Sequence, residues 1–363
     1  MGKNAANPLA ADLDYVLART GPLWEELRGQ RLFLTGGTGF IGCWLLESLL
    51  WANDKLGLDV HATVLTRNPE AFRVKAPHLV DHSGVSILVG DMKNFALPAE
   101  SFAYVVHAAT QPPANNSAAA LAITFESIIE GSRRALELAR RCAARGFLLT
   151  SSGAIYGPQP QSMPRMQEDH PGGPLPANCA SAYAEGKRAA ETLCALYAGS
   201  YGLPVKIARC FAFVGPYLPL QGAFAVGNFM GNALQGEAIQ IKGDGTPIRS
   251  YLYAADMAIW LWRILLKGDS CRPYNVGSED EVSIADVARA VGDCLSPPLS
   301  VAISGVAMDS VARQRYVPST ARARSELGLV QTIGLRSAIL RTLRWHEACI
   351  SMASSEQRGR PNS

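Results

Sequence analysis

Ser151 and Ser152 close the apolar run "FLLTSS" at residues 147–152, and Tyr183 and Lys187 follow in "YAEGKR" at residues 183–188. A tyrosine and a lysine at i and i+4 share one face of a helix. A free tyrosine ionises at a pH of about 10, too high for a base under neutral conditions. A neighbouring ammonium favours the phenolate and lowers that value. A serine hydroxyl at a strand end can hydrogen-bond the oxygen that gains or loses a proton. Ser152, Tyr183 and Lys187 therefore read as a proton-transfer device for a substrate hydroxyl or carbonyl. The Tyr-x-x-x-Lys spacing alone is common, and a surface helix pair would explain it in an unmarked chain. Its weight comes from the residues that precede it.

Those residues are "RLFLTGGTGFIGCWLLESLL" at 31–50. An apolar strand ends at Thr35, a helix follows at once, and glycines separate them. Gly37, Gly39 and Gly42 fit G-x-G-x-x-G, and Gly36, Gly39 and Gly42 fit the shifted form. Glycines permit the tight turn and let backbone N–H groups approach a pyrophosphate, and the helix N-terminus adds its dipole. The order strand, glycines, helix predicts a dinucleotide site, with hydride transfer beside the proton-transfer set. Gly36, Gly37, Thr38, Gly39, Phe40, Ile41 and Gly42 are the expected cofactor loop. Asp91 and Met92 after the third strand, Ala108 and Ala109 after the fourth, and Tyr183 and Lys187 complete the expected cofactor contacts. The second strand, "HATVLT", ends at Thr66 and Arg67, whereas Asp59 precedes it. An acidic residue at the strand end would select NAD; Arg67 can instead pair with a 2′-phosphate, which favours NADP. His107 is read as structural rather than as a proton donor.

The elements that must position these groups alternate. Apolar strands and amphipathic helices follow one another from residue 30 to about 180, the pattern of a parallel sheet covered on both faces. The expected fold is α/β, a Rossmann-type doubly wound parallel sheet carrying residues 30–210. Residues 1–29 are expected to form a packing arm, 211–350 a smaller and more irregular substrate-binding lobe, and 351–363 a disordered tail. A formal charge of +3 with scattered Lys and Arg gives no nucleic-acid surface. No apolar run reaches the roughly 18 residues of a membrane span. The eight cysteines form no C-x-x-C pair, no metal site is expected, and a cytoplasmic location is.

With these motifs assembled, the chain resembles an extended short-chain dehydrogenase/reductase of the nucleotide-sugar epimerase/dehydratase family. The resemblance spans residues 30–330 and rests on "TGGTGFIG", "GD" at 90–91, "HAA" at 107–109, "SSGAIYG", "YAEGKRAAE", "VGP" at 214–216, "KGDGTPIRSYLYAADMA" and "YNVGS" at 274–278. It implies that Ser152 and Tyr183 are catalytic with Lys187 as partner, and that Arg249 grips a nucleotide-sugar diphosphate. The family's 4,6-dehydratases carry an Asp-Glu pair where this chain has Gly153 and Ala154, and its UDP-glucuronate decarboxylases carry a glutamate at the position of Ala154. Ala212 stands where the family usually has an asparagine. The implied activity is sugar 4-epimerisation, with 4-ketoreduction, dehydration or decarboxylation as alternatives, and a dinucleotide-sensing regulator as the non-enzyme alternative. The resemblance also implies a homodimer through the helices containing "ESIIEGSRRALELARRC" and "SAYAEGKRAAETLCALYAGSYG".

Overall fold

The computed structural model describes residues 7–110, 113, 115–306 and 313–358. Its strands are β1 (Arg31–Thr35), β2 (His61–Thr66), β3 (Val85–Val89), β4 (Tyr104–His107), β5 (Gly146–Ser152), β6 (Val205–Cys210), β7 (Phe213–Val214), β8 (Ile239–Ile241), β9 (Ile248–Arg249), β10 (Leu252–Tyr253), β11 (Pro273–Val276), β12 (Val282–Ser283), β13 (Val301–Ile303) and β14 (Arg315–Tyr316). Its helices are α1 (Ala10–Thr20), α2 (Phe40–Leu56), α3 (Pro69–Lys75), α4 (Pro77–Val80), α5 (Ala118–Arg141), α6 (Ala182–Tyr201), α7 (Ala225–Leu234), α8 (Ala254–Lys267), α9 (Ile284–Gly292), α10 (Ala321–Leu327) and α11 (Leu335–Arg358).

Seven strands form one parallel sheet in the order β11-β6-β5-β4-β1-β2-β3. Both faces are covered, so the strands read as nearly continuous apolar runs. The twofold side-chain period divides each strand between two cores. Leu32 and Leu34 of β1, Tyr104 and Val106 of β4, and Leu148 of β5 pack with α1, α2 and α8. Phe33, Val105, Phe147 and Leu149 point to the other face, against Ile128 and Leu136 of α5 and Ala190 and Cys194 of α6. Burying each such side chain stabilises the fold by about 1.5–3 kcal/mol. The strand order reverses between β1 and β4, and in open α/β sheets the crevice beyond the strand ends at such a reversal receives the ligand.

The N-terminal segment packs α1 on α2 and α8. Trp24 meets Trp262 edge-on with ring centroids 5.3 Å apart, and the buried Asp12 pairs with Tyr253 and Arg341. Two readings of the sequence need correction. The region after residue 210 is not all irregular: β11 forms the sheet edge beside β6, and α8 is buried under it through Trp260, Leu261 and Trp262. A strand, a helix and a parallel strand again make a crossover unit, which the short run "YNV" was too brief to announce. Of the segment 351–363 expected to be disordered, 351–358 continue α11 to Arg358, and 359–363 lie outside the described residues. Its residues "SMASSEQR" contain no helix breaker before Gly359.

Candidate active site

The glycine loop is closely packed, and each glycine answers to a different neighbour. Gly36 has φ +70°, and a Cβ there would lie 2.5 Å from the backbone carbon of Ala108 and the nitrogen of Ala109. A Cβ on Gly42 would lie 2.2 Å from the Gly36 carbonyl oxygen, and one on Gly37 would lie 2.7 Å from the Val64 side chain. These contacts lock β1, β4 and α2 together. They leave the loop backbone bare at the first turn of α2, a cradle suited to a pyrophosphate.

Beside the loop lies a cavity of about 360 Å³. Gly36, Thr38 and Gly39 line one side. Arg67 after β2, Asp91 and Met92 after β3, and Ala108 and Ala109 after β4 line the other. The remaining loop residues of the sequence reading do not face it. Gly37 and Gly42 pack internally, Phe40 stacks on Phe213 at 6.2 Å between centroids, and Ile41 packs against the core. Arg67 Nη1 lies 3.7 Å from Asp91 Oδ2. Lys75, which the sequence reading missed, also lines the cavity and donates to the Thr38 carbonyl at 2.9 Å. Its only signal is a basic residue in the last turn of α3.

His107 is wholly buried, with Nδ1 2.7 Å from Thr35 Oγ1. Burial, helped by the Lys187 cation, pushes its pKa down to about 3. It is a neutral ring that ties β4 to β1.

Ser152 is the last residue of β5, and Tyr183 and Lys187 stand in the first turns of α6. The fold brings all three together. Ser152 Oγ accepts a hydrogen bond from the Ala154 N–H at 3.1 Å. Lys187 is 2% exposed and donates from Nζ to the Thr150 carbonyl at 2.7 Å. Burial pushes its pKa down to about 8. For Tyr183 the net direction is upward: burial raises it, and the Ser152 hydrogen bond offsets this only in part. The lowering by Lys187 expected from the sequence is not the balance found, because the ammonium is turned to Thr150 and both groups are shielded from water.

Arg249 ends β9 and donates to the Ile248 carbonyl at 2.8 Å. It is the register partner of Tyr316 on β14. Tyr316 is the second residue that the sequence reading missed. Its ring lies 4.6 Å from that of Phe211, and its hydroxyl donates to the Cys210 carbonyl at 3.5 Å. An isolated tyrosine far along the chain carries no motif, so only the fold reveals it. Gly153 is explained by the same contact, since a Cβ there would lie 2.6 Å from Phe211 Cζ and 2.7 Å from the Tyr316 hydroxyl.

Comparison with known proteins places this geometry. The model of the NAD dependent epimerase/dehydratase family matches residues 32–277. The chain belongs to that family. UDP-glucuronic acid decarboxylase 6 of Arabidopsis thaliana is 31% identical over 316 residues, covering 85% of this chain and 86% of that protein. UDP-glucuronic acid decarboxylase 5 of the same plant is 30% identical over 321 residues, covering 85% and 87%. The fold also matches UDP-glucose 4-epimerase from Thermotoga maritima, solved with UDP-glucose, at a TM-score of 0.75 and 22% identity, covering 88% of this chain and 99% of that one. It matches DesIV, a dTDP-glucose 4,6-dehydratase from Streptomyces venezuelae solved with NAD, at a TM-score of 0.73 and 24% identity, covering 89% and 98%. The family is one of NAD-dependent enzymes acting on nucleotide sugars, and the glycine cradle and cavity fit such a dinucleotide. Among the described residues no helix is long and apolar enough to cross a membrane.

Proposed function

We propose that the protein is a nucleotide-diphosphate-sugar 4-epimerase. The observation that carries this reading is a site with Ser152, Tyr183 and Lys187 in contact range of one another's partners and no carboxylate at positions 153 and 154, which are glycine and alanine. The dinucleotide, when bound, supplies a carbon that accepts hydride and a positive charge in its oxidised ring. That charge favours an ionised Tyr183. Tyr183 then removes the proton of the sugar C4 hydroxyl, and Ser152 shares the hydrogen bond. Lys187 holds the cofactor ribose and adds positive charge. Arg249 anchors the diphosphate while the sugar turns about that link to offer the opposite face of C4 for return of the hydride, and Tyr183 gives the proton back to the C4 oxygen.

A hollow of about 890 Å³ between α7 and β8 is proposed to take the nucleoside, with Asn232, Gln240 and Lys242 on its walls. Ala212 offers no amide to the diphosphate, and its carbonyl is engaged by the Leu252 N–H at 3.1 Å. A second reading, decarboxylation of a UDP-uronic acid, is favoured by the names of the relatives at 30–31% identity. It begins with the same C4 oxidation, and the two part only in what happens to the C6 carboxylate. Incubation with UDP-, dTDP-, GDP- and CDP-sugars, UDP-glucuronate included, read by NMR, separates them. Inversion at C4 with C6 retained supports the epimerase; release of carbon dioxide with a pentose product supports the decarboxylase. Net consumption of NADPH would support a ketoreductase instead.

For the cofactor, Arg67 supports NADP, and Lys75 adds a cation on the same cavity. We further infer a homodimer through α5 and α6, whose outer faces expose Ile123, Leu196 and Tyr201 and border a hollow of about 960 Å³. A monomer in sedimentation at micromolar concentration would count against it.

A further inference from the structure

Building on the reading of Arg67 as the partner of a 2′-phosphate, we propose that Lys75 is the second cation for that phosphate and that Tyr217 is the positioning residue that holds Lys75 in place. Asn68, Ala71 and Lys75 fall at i, i+3 and i+7 along α3 and its cap, and all three line the cofactor cavity. Two long cationic side chains therefore flank the wall made by the end of β2 and α3, Arg67 at its start and Lys75 at its end. The other basic residue of α3, Arg73, is paired with Asp81 instead. An ammonium carries three hydrogens, and Lys75 places one on the Thr38 carbonyl at 2.9 Å. A phosphate oxygen is a stronger acceptor than that carbonyl, because it is charged.

The place of that ammonium is set from the segment after β7. Lys75 Nζ stands over the Tyr217 ring, 5.5 Å from its centroid, and the negative face of a ring attracts a cation. Tyr217 is itself firmly held. It is buried, and its hydroxyl donates to the Glu47 carboxylate on α2. Glu47 is buried too, and His78 Nε2 on α4 lies 2.7 Å from the same oxygen. The Tyr217 ring lies 4.7 Å from that of Trp345 on α11. Burial first, then Glu47, pushes the Tyr217 pKa up, so it remains a phenol that donates.

The backbone sets Tyr217 apart from ordinary packing. Gly215, Pro216, Tyr217 and Leu218 form a turn closed by the Leu218 N–H on the Gly215 carbonyl at 3.2 Å. Trp44 Nε1 fixes the Pro216 carbonyl at 2.9 Å. Tyr217 takes the third place of this turn with φ +70°. Glycine or asparagine is the usual occupant of such a left-handed place, and a bulky side chain there is strained. Glycine would make the turn freely and leave Lys75 without a ring. Strain of this kind persists only where the surroundings over-determine it, and it gathers at ligand clamps. Here the strained residue joins α2, α4 and α11 beneath a cation on the cofactor wall.

The test is isothermal titration of NADP and of NAD against the wild type, Lys75→Met, Tyr217→Phe, Tyr217→Leu and Lys75→Met/Tyr217→Leu. The quantity read is the ratio of NADP affinity to NAD affinity. NAD meets the same cradle without the 2′-phosphate, so general damage to the fold lowers both affinities and leaves the ratio in place. Lys75 is exposed, and Lys75→Met should cut the ratio about tenfold or more while NAD affinity holds within about twofold. Tyr217→Leu should cut it about two- to fivefold, the size of an exposed cation–ring contact. Tyr217→Phe keeps the ring and should hold the ratio within about twofold of the wild type. The double variant should fall no further than Lys75→Met, because the ring acts through the lysine alone. A wild type that favours NADP, with the ratio unchanged in Lys75→Met, overturns the role of Lys75. An equal loss of both affinities in that variant does the same, since it puts the lysine on the shared pyrophosphate. A ratio unchanged in Tyr217→Leu overturns the positioning role of Tyr217. A wild type with equal affinities removes the NADP reading itself, and the proposal falls with it.

Discussion

Arg209 Nη2 lies 2.8 Å from Glu191 Oε2, joining β6 to α6, and Ser151, the register partner of Arg209 on β5, donates to the same carboxylate. Arg209 also donates to the Tyr156 hydroxyl and to the Glu168 carbonyl, both at 2.8 Å. Tyr156 in turn donates to Asn275 on β11 at 2.7 Å. One guanidinium thus fastens the strand that ends at Ser152, the helix that carries Tyr183 and Lys187, and the edge of the sheet. Its planar fork with several donors suits that task, and lysine could not replace it.

The pair is nearly buried, with side-chain exposures of 12% and 13%. Removing one member of such a pair leaves a charge unpaired in a shielded place. Arg209→Met should lower unfolding stability by about 3–5 kcal/mol. Urea denaturation measures this, and Arg209→Met/Glu191→Leu should recover part of the loss. A loss under about 1 kcal/mol, the size of an exposed pair, would show that the network does not hold these elements.

Tyr183→Phe should reduce turnover about 10²- to 10⁴-fold, the usual cost of losing a positioned acid–base group. Only a hydroxyl is removed, so dinucleotide affinity should change little. Fluorescence titration with the cofactor and steady-state kinetics with the sugar nucleotide separate the two effects. Turnover within a factor of a few of the wild type would displace Tyr183 from its assigned role.

Arg67→Asp tests the choice between dinucleotides. A charged hydrogen bond to a 2′-phosphate contributes about 1.5–3 kcal/mol, so NADP affinity should fall by roughly ten- to a hundredfold. NAD affinity should hold or improve, because an acid at this strand end can receive ribose hydroxyls. Asp91, 3.7 Å from Arg67, would then face a second carboxylate, and part of the effect belongs to that repulsion. Isothermal titration of both dinucleotides against both proteins reads the difference. Equal affinities in the unmutated protein, unchanged by the substitution, would remove the case for NADP.

The parallel sheet was legible because its signal is local. Each β1-to-β5 strand is an apolar run bounded by turns or helices, and the glycine pattern lies between β1 and α2. Ser152, Tyr183 and Lys187 were legible for the same reason, as residue types at fixed spacing. Tyr316, Arg209 and Lys75 were not, because each reaches the site through pairing or packing with elements distant in the chain. Position 153 shows the limit well. The sequence reveals only a glycine, and the fold shows that a tyrosine hydroxyl and a phenylalanine ring occupy the space above it.

The pH dependence of stability should carry a signature of His107. Burial first, then Lys187, lowers its folded-state pKa to about 3 from an ordinary 6.5. Between those values the unfolded chain binds a proton that the native state does not. Stability must therefore fall as pH drops through 6.5 toward 3, by up to roughly 1.4 kcal/mol per unit while the difference lasts. His346, lowered to about 4 by burial, adds a slope of the same sign. Carboxylates held below their ordinary values, such as Glu279 and Asp286, enter only nearer their own range, at more acidic pH. Glu168, raised by burial, has the opposite sign, so in the interval from pH ~6.5 to ~5 the difference between wild type and variant, not the total slope, reports His107. His107→Gln removes the titrating group, though it also disturbs the Thr35 contact and lowers stability at every pH. The decisive quantity is the slope. Urea midpoints across this interval should fall less steeply for His107→Gln than for the wild type, and equal slopes would mean that His107 titrates in the folded protein much as it does in the unfolded chain.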